Sequence, residues 1–209
     1  MHRYAKLLLA SLTATAILAL AVGSASANRL SFSARTFRAS WTELAFSGGG
    51  STITCPVTLE GSFHSFTITK TTGALVGYVT RASVNGESRS CTGGTATIRQ
   101  ERLPWHIRYR GFTGTLPRIS AINLGLIGLS YRVRNSSSVE CNVTSEASHP
   151  EVVSIALSEE QVAEDLTPDP TARIPLEEGI CALSGEGSFE DESETLCEVP
   201  GSRITITLI

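Results

Sequence analysis

Apolar side chains recur at every second position along much of this sequence, and the alternation is clearest in the segment Leu103–Arg110. One parity holds Leu103, Trp105, Ile107 and Tyr109, and the other holds Pro104, His106, Arg108 and Arg110. Successive side chains of a β-strand point to opposite faces, so a period of two is typical of a half-buried strand. The pattern predicts that the aromatic and aliphatic side chains face a core and that the basic side chains face outward.

A second apolar run covers the segment Ile122–Val133 and changes parity between Leu126 and Leu129. A change of face inside one strand requires an extra residue, which predicts a β-bulge at Gly125 or Gly128. We expect the two runs to form the centre of a sheet. The side chains expected in its core are Trp105, Ile107, Tyr109, Leu124 and Leu126.

The other apolar segments indicate short strands separated by Gly, Pro and Asn turns. Glu60 and Gly61 predict a hairpin turn between two of them. Two further segments, Thr72–Val84 and Ser158–Leu166, also match helical spacing, and each begins with a residue that can cap a helix. Strands are predicted near residues 28–47, 51–59, 62–70, 95–100, 139–144, 151–157, 171–176, 180–189 and 203–209. The pattern favours an all-β fold class, an antiparallel β-sandwich or jelly-roll-like barrel with at most one or two short helices.

The N-terminus has the three parts of a secretory signal peptide. A basic start is followed by an uncharged apolar run of 16 residues, Leu7–Val22, and by the small-residue sequence Ala25-Ser26-Ala27. A transmembrane anchor is the alternative, but the run is short for a bilayer and no charged stop follows it. We expect residues 1–27 to be a signal peptide and residues 28–209 to form a single β-sandwich domain, secreted or held in the cell envelope.

The five cysteines all follow the predicted cleavage site, and an exported protein can form disulfides. Their spacing contains no C-x-x-C pair, and the histidines are scattered, so no zinc site and no cofactor are predicted. Five cysteines allow several pairings. The pairing that we expect joins Cys55 to Cys91 and Cys141 to Cys181, and leaves Cys197 over.

Charge is distributed unevenly along the sequence. Residues 28–139 carry 13 basic and four acidic side chains, whereas residues 140–209 carry two basic and 16 acidic ones. Arg102, His106, Arg108 and Arg110 would form an outward arginine face, and guanidinium groups suit phosphate and carboxylate ligands. An anionic cell-envelope polymer is therefore a candidate partner. An ordinary solvated surface is the alternative, and the acidic run Glu190–Glu194 raises a Ca²⁺ site as a further one.

Known catalytic motifs are missing from the sequence: it has no nucleophile elbow, P-loop, dinucleotide fingerprint, H-E-x-x-H motif or EF-hand loop. Glycoside hydrolysis needs two carboxyl groups at a set separation, for which Glu60, Glu186 and Glu101 can be nominated. No residue is assigned as catalytic, because two of the three precede Gly in predicted turns. Nucleic-acid binding is disfavoured, since the chain is acidic overall and its aromatic side chains are predicted to point inward.

Three segments resemble recurrent parts of uncharacterised exported actinobacterial proteins. They are Thr54–His64 (TCPVTLEGSFH), Gly73–Arg81 (GALVGYVTR) and Leu103–Pro117 (LPWHIRYRGFTGTLP). The resemblance implies a bacterial cell-envelope or secreted location and brings no catalytic residues. With the composition, it favours a non-enzymatic binding or structural protein of the envelope; an enzyme acting on an envelope or extracellular polysaccharide is the alternative.

An internal similarity links Cys55–Phe63 with Cys181–Phe189, because five of the nine positions are identical. Two related sheets, an ancient duplication and chance are the three alternative explanations of a match this short.

Overall fold

The computed structural model of this chain describes residues 29–48, 51–84, 91–135, 140–169, 174–176, 179–190 and 202–209. These residues form an all-β, antiparallel fold, which confirms the predicted fold class. The predicted signal peptide, Cys197 and most of the acidic run Glu190–Glu194 lie outside the described residues, as do the side chains of Cys141 and Cys181. The second predicted disulfide and the proposed Ca²⁺ site therefore stay predictions.

Sixteen strands and one short 3-10 turn, Gln100–Arg102, make up the described secondary structure. The strands are β1 (Arg29–Phe32), β2 (Thr36–Gly48), β3 (Ser51–Phe63), β4 (Thr67–Thr69), β5 (Leu75–Val84), β6 (Gly94–Ile98), β7 (Trp105–Thr115), β8 (Arg118–Ile127), β9 (Ser130–Asn135), β10 (Glu140–Thr144), β11 (Glu151–Leu157), β12 (Ala163–Pro168), β13 (Ile174–Leu176), β14 (Gly179–Ser184), β15 (Gly187–Glu190) and β16 (Ile206–Leu208).

Eight of the strands close into a barrel in the order β2, β3, β5, β7, β8, β11, β12, β15 and back to β2. Closure occurs at β15, where Gly187 pairs with Leu166 of β12 on one side and with Trp41 of β2 on the other. The Trp41 indole Nε1 then donates a hydrogen bond of 3.1 Å to the Leu166 carbonyl, so it links β2 to β12 across β15. A closed barrel leaves no backbone edge among its own strands.

Every strand of the barrel sends apolar side chains into the interior. The central void is lined by Phe37, Ala39, Trp41, Leu59, Phe63, Val79, Ile107, Leu124, Leu126, Val153, Ile155, Leu166 and Phe189. Its volume is about 30 Å³, whereas pockets for drug-sized ligands measure about 300–1,000 Å³. Side chains therefore fill the described interior, and the barrel is a packed core without room for a ligand of that size.

The predicted core side chains Trp105, Ile107, Tyr109, Leu124 and Leu126 are all buried, and the alternation predicted up to Arg110 is confirmed over the first six residues of β7.

A second sheet, in the order β14, β13, β10, β9, β6, continues from the far end of β2. Its apolar side chains pack beneath the barrel end; Phe46 of β2 and Tyr131 of β9 form an edge-to-face pair with ring centres 4.8 Å apart. A third, smaller sheet of β16, β1 and β4 adds Leu30, Ile68 and Ile206 to the core.

The change of parity after Leu126 has a different cause from the predicted bulge. The register of β8 is continuous through Gly125, and the chain leaves the barrel at Gly128, which has a φ of +85°. Gly128 donates its N–H to the Ser145 carbonyl at 2.9 Å, and β9 then begins in the second sheet. The two faces belong to two strands, because a left-handed glycine turns the chain from one sheet into the next.

Three local predictions were wrong. Both helical candidates are extended: Thr72–Val84 contains β5, and Ser158–Leu166 leads into β12. The Val and Thr content of the first fits a pleated strand better than a helix. Glu60-Gly61 lies inside the continuous strand β3 and is not a turn. The bulge at that point belongs to β5: Glu60 pairs with Arg81 and Gly61 with Val79, which leaves Thr80 as the extra residue.

The two similar segments flank β2 on opposite sides, and each places a glycine opposite an aromatic residue of that strand. Gly61 pairs with Phe37, and Gly187 pairs with Trp41. A Cβ at Gly61 would lie 2.7 Å from Phe37 Cζ, and a Cβ at Gly187 would lie 2.7 Å from Trp41 Nε1. The β2 aromatics therefore lie over the glycines, whose missing side chains let the rings approach the neighbouring backbone.

Replacing Gly61 by Ala should destabilise the fold by about 1–3 kcal/mol, the usual effect of overpacking a tight core. The new methyl group would meet both Phe37 and the backbone carbonyl of Tyr78. Chemical denaturation of G61A beside S62A, at the neighbouring outward position, measures the effect. Equal midpoints for the two variants would show that the bulge relaxes and that Phe37 does not need the glycine.

A disulfide joins Cys55 of β3 to Cys91, which precedes β6, and confirms the first predicted pairing. A backbone bridge between Thr54 and Thr92 lies beside it. The bond therefore links the barrel to the outer strand of the second sheet.

Candidate functional site

The outward side chains of β2, β3, β5 and β7 form a continuous polar surface, which we call the outer face. Backbone pairing aligns these side chains in three rows across the strands. The rows are Ser40, Thr58 and Ser83; Arg38, Glu60 and Arg81; and Thr36, Ser62, Tyr78 and His106. Neighbouring strands lie about 4.8 Å apart, so four strands give a surface about 14 Å wide.

Three rings lie side by side at one end of the outer face. The ring centres of His64 and Tyr78 are 5.0 Å apart, and those of Tyr78 and His106 are 5.2 Å apart. His64 and His106 are exposed, and Tyr78 is half-buried between them. This ring row presents aromatic surface together with hydrogen-bonding atoms, a combination typical of sites that are apolar on one side and wet on the other.

The middle row is a charged network. Glu60 accepts two hydrogen bonds from Arg38, at 2.9 Å from Nε and 2.6 Å from Nη2, and its other oxygen lies 2.7 Å from Arg81 Nε. The Glu60 side chain is 15% exposed, against 68% for Arg81. Two guanidinium groups thus fix the orientation of one carboxylate at the barrel surface.

A polar groove of about 270 Å³ opens beside this network. Its lining is Thr58, Glu60, Arg81, Ala82, Ser83 and Gln100. Gln100 belongs to the 3-10 turn, which precedes β7 in the chain. Its side chain donates a hydrogen bond of 2.8 Å to the Ala82 carbonyl, so the turn lies against β5. The groove is larger than the two voids inside the barrel, which measure about 20 and 30 Å³, and most of its lining side chains are polar.

The predicted arginine face is exposed. His106, Arg108 and Arg110 alternate with the buried side chains of β7, and Arg102 lies in the 3-10 turn. Arg108 donates a hydrogen bond of 3.2 Å to the Gly73 carbonyl. The stem of Arg110 lies over Gly125 of β8, where a Cβ would be 3.1 Å from Arg110 Cδ.

Among the described residues, Arg102, Arg108 and Arg110 form no salt bridge. Arg102 lies near the Glu101 carboxylate, whereas no described carboxylate forms a salt bridge with Arg108 or Arg110.

Exposed acidic residues lie on the other side of the barrel. In the closed strand order, β12 is opposite β5, and its Glu164 and Asp165 are exposed. Glu159 and Glu160, in the turn before β12, are exposed as well. These four exposed carboxylates are therefore separated from the arginine face, since β12 lies three strands away from β7 around the barrel.

Glu151 is the unusual carboxyl of the structure. It is 1% exposed, and neither of its oxygens accepts a hydrogen bond from a described residue. Burial raises the pKa of Glu151 to about 8, and the nearby negative charge of Asp169 adds to the effect. The carboxyl lines a void of about 20 Å³ with Trp105 and Tyr131, which is too small to hold a substrate. It is a neutral group within the core at pH 7.

The three carboxyl groups nominated for glycoside hydrolysis lie in different local environments. Glu60 is paired with two arginines, Glu101 with Arg99 at 3.0 Å, and Glu186 is exposed between β14 and β15. A backbone hydrogen bond and the bond from Arg99 lower the pKa of Glu101, whereas a general acid needs a raised one. In the described part of the chain, no group of three or more His, Cys, Asp or Glu is arranged to hold a metal ion.

Sequence reasoning missed the neighbours of the arginine face. Only the pairing of distant strands brings Arg38, Arg81 and Tyr78 next to the arginine face. Tyr78 also lies in a segment whose apolar spacing matches a helix. The burial of Glu151, in contrast, is predictable from the sequence. The residue shares the inward parity of Val153, and the segment Glu151–Leu157 alternates without interruption.

The described residues contain no helix long and apolar enough to cross a membrane. Comparisons of this chain with protein-family models, curated proteins and solved structures found no match.

Proposed function

We propose that this chain is an exported, non-enzymatic binding protein of the bacterial cell envelope, and that its outer face and arginine face bind an anionic polymer. The observation that carries the proposal is the placement of the ring row beside the exposed His106, Arg108 and Arg110 on adjoining strands. The Cys55–Cys91 disulfide supports an oxidising location outside the cytosol.

A polymer suits this geometry better than a small ligand. The barrel interior is packed, so the binding groups lie on an extended surface that several successive units of a chain can contact. Guanidinium groups match the geometry of carboxylate and phosphate, and aromatic rings offer flat surfaces for apolar faces of sugar units. Exposed acidic side chains on β12 lie on the opposite side, where they do not repel an approaching polyanion.

The enzymatic alternative has less support from the described residues. Glu60 is the one carboxylate among the residues that line the polar groove, and both of its oxygens are engaged by arginine. Glu151 has the raised pKa that suits a general acid, but it is sealed inside the core. The surface is thus better suited to holding a chain than to cleaving one.

Replacing Arg108 and Arg110 together by Gln should weaken binding to purified cell-wall polymer roughly fivefold to tenfold without unfolding the protein. Both side chains are exposed, so their loss removes charge and leaves the core intact. Co-sedimentation with cell-wall material at increasing salt measures the effect. Wild-type binding should weaken as salt rises, because exposed charges are screened over about 8–10 Å at physiological ionic strength.

The matched control is Arg132→Gln with Arg134→Gln, since these two arginines are also exposed and two residues apart, on β9 of the second sheet. This variant has the same net charge as the test variant. Equal binding by the two variants would assign the affinity to net charge alone. An absence of salt-sensitive binding by the wild type would refute the proposal.

A further inference from the structure

The polar groove has a chemistry different from that of the arginine face. Its charged groups, Glu60 and Arg81, neutralise each other, and Arg38 pairs with the same carboxylate from the other side. The hydroxyl groups of Thr58 and Ser83 line the groove as well. Two arginines share one carboxylate, so the network keeps one net positive charge, and the groove offers both hydrogen-bond donors and acceptors.

We propose that the polar groove is a subsite for one hydroxyl-bearing pyranose unit of the bound polymer. The inference rests on the proposed function and adds that the polymer is a polysaccharide, and not a chain of phosphates alone. Its volume of about 270 Å³ lies just below the range of pockets for drug-sized molecules, which fits a single sugar ring.

Glu60 is the main recognition group of this subsite. Two arginines hold the carboxylate in place: Oε1 accepts both hydrogen bonds from Arg38, and Oε2 can accept a further hydrogen bond beside its contact with Arg81. Sugar hydroxyl groups are donors that suit such an acceptor, and hydrogen bonds to an ionised group are stronger than those between neutral groups. The fixed position of Glu60 avoids the entropy cost of ordering a flexible side chain on binding.

The position of the groove connects it to the rest of the surface. It lies at the Glu60 and Arg81 row, and the next row along the outer face holds Tyr78 and His106. One polysaccharide chain can therefore place one sugar in the groove and its charged groups at the arginine face. The structure assigns shape and hydroxyl recognition to the groove, and charge recognition to Arg108 and Arg110.

The test compares two polyanions of matched charge concentration, polygalacturonate, which is built of pyranose rings, and inorganic polyphosphate, which has none. The wild type should bind polygalacturonate roughly tenfold more tightly. Ser83→Trp should remove this preference, because an indole at the exposed end of the groove fills it and leaves the Glu60 ion pairs in place. Thr97→Trp, at an exposed position on β6, is the matched control and should keep the preference.

The outcomes separate the two proposals. Salt-sensitive binding of both polymers with equal affinity, or a preference that survives Ser83→Trp, would overturn the sugar subsite while leaving the polyanion-binding function intact. If neither polymer binds in a salt-sensitive way, both proposals fall. Circular dichroism and thermal unfolding of the Ser83→Trp variant establish that lost preference is not lost folding.

Discussion

Raising the pH from 4.5 to 8 should cost the folded protein about 4 kcal/mol of stability through Glu151 alone. The carboxyl has an ordinary pKa of 4.5 when the chain is unfolded and a pKa of about 8 in the folded core, where burial disfavours the charged form. Below pH 4.5 the group is neutral in both states. As the pH rises towards 8, the unfolded chain releases this proton and the folded protein retains it. The unfolded state is therefore stabilised relative to the folded state.

The variant Glu151→Gln isolates this effect, because an amide of nearly the same shape cannot ionise. Relative to the wild type, it should become steadily more stable between pH 4.5 and 8, and the difference should level off above pH 8. Urea denaturation at several pH values measures the difference, in which contributions from all other titrating groups cancel. Glu164→Gln, at an exposed position of β12, is the control and should show no such trend.

A constant difference between wild type and Glu151→Gln across this pH range would contradict the assignment. It would mean that Glu151 ionises in the folded state as it does in the unfolded chain, and that the void at the barrel end admits water.

Removing the Cys55–Cys91 disulfide should lower the free energy of unfolding by about 3–4 kcal/mol. The bond closes a loop of 36 residues, and a crosslink of that span restricts the unfolded chain by about this amount in the chain-entropy view. Alanine is the suitable replacement at Cys55, because the side chain is fully buried and a serine hydroxyl there would need a partner.

Chemical denaturation of the Cys55→Ala, Cys91→Ala double variant, with and without reductant, provides the measurement. Reductant should bring the wild type close to the double variant and leave the variant itself unchanged. A variant as stable as the oxidised wild type would show that the backbone bridge between Thr54 and Thr92 is sufficient to hold β6 against the barrel.

Local pattern predicted the strands well where one face of a strand is buried. The alternation around Trp105 correctly assigned every side chain of the segment Trp105–Arg110 to a face, and with it the outward position of Arg108; Leu103 and Pro104 precede the strand. The same rule applied to Glu151 would have predicted a buried carboxyl, since the residue shares the parity of Val153. Period two is a property of single strands, so sequence carries it without knowledge of the neighbours.

The alternation of apolar and polar residues does not predict which distant strands pair. The outer face exists because β3 lies between β2 and β5, which brings Arg38 and Arg81 to Glu60. Gly61 was misassigned to a turn for the same reason: its role is to admit Phe37 from another strand. Glycines in turns and glycines inside strands have the same local sequence signal, and only the partner strand distinguishes them.

The closure of the barrel between β2 and β15 also determines when the protein can fold. Trp41 and Gly187 pair although almost the whole described chain separates them, so the nascent chain cannot complete the barrel until residues 187–190 have been synthesised. Until then β2 and β12 expose unpaired backbone edges, which favour association between chains. We therefore expect folding to be slow and to be completed late in synthesis, in one concerted step. Until then, the incomplete chain depends on protection from association with other chains.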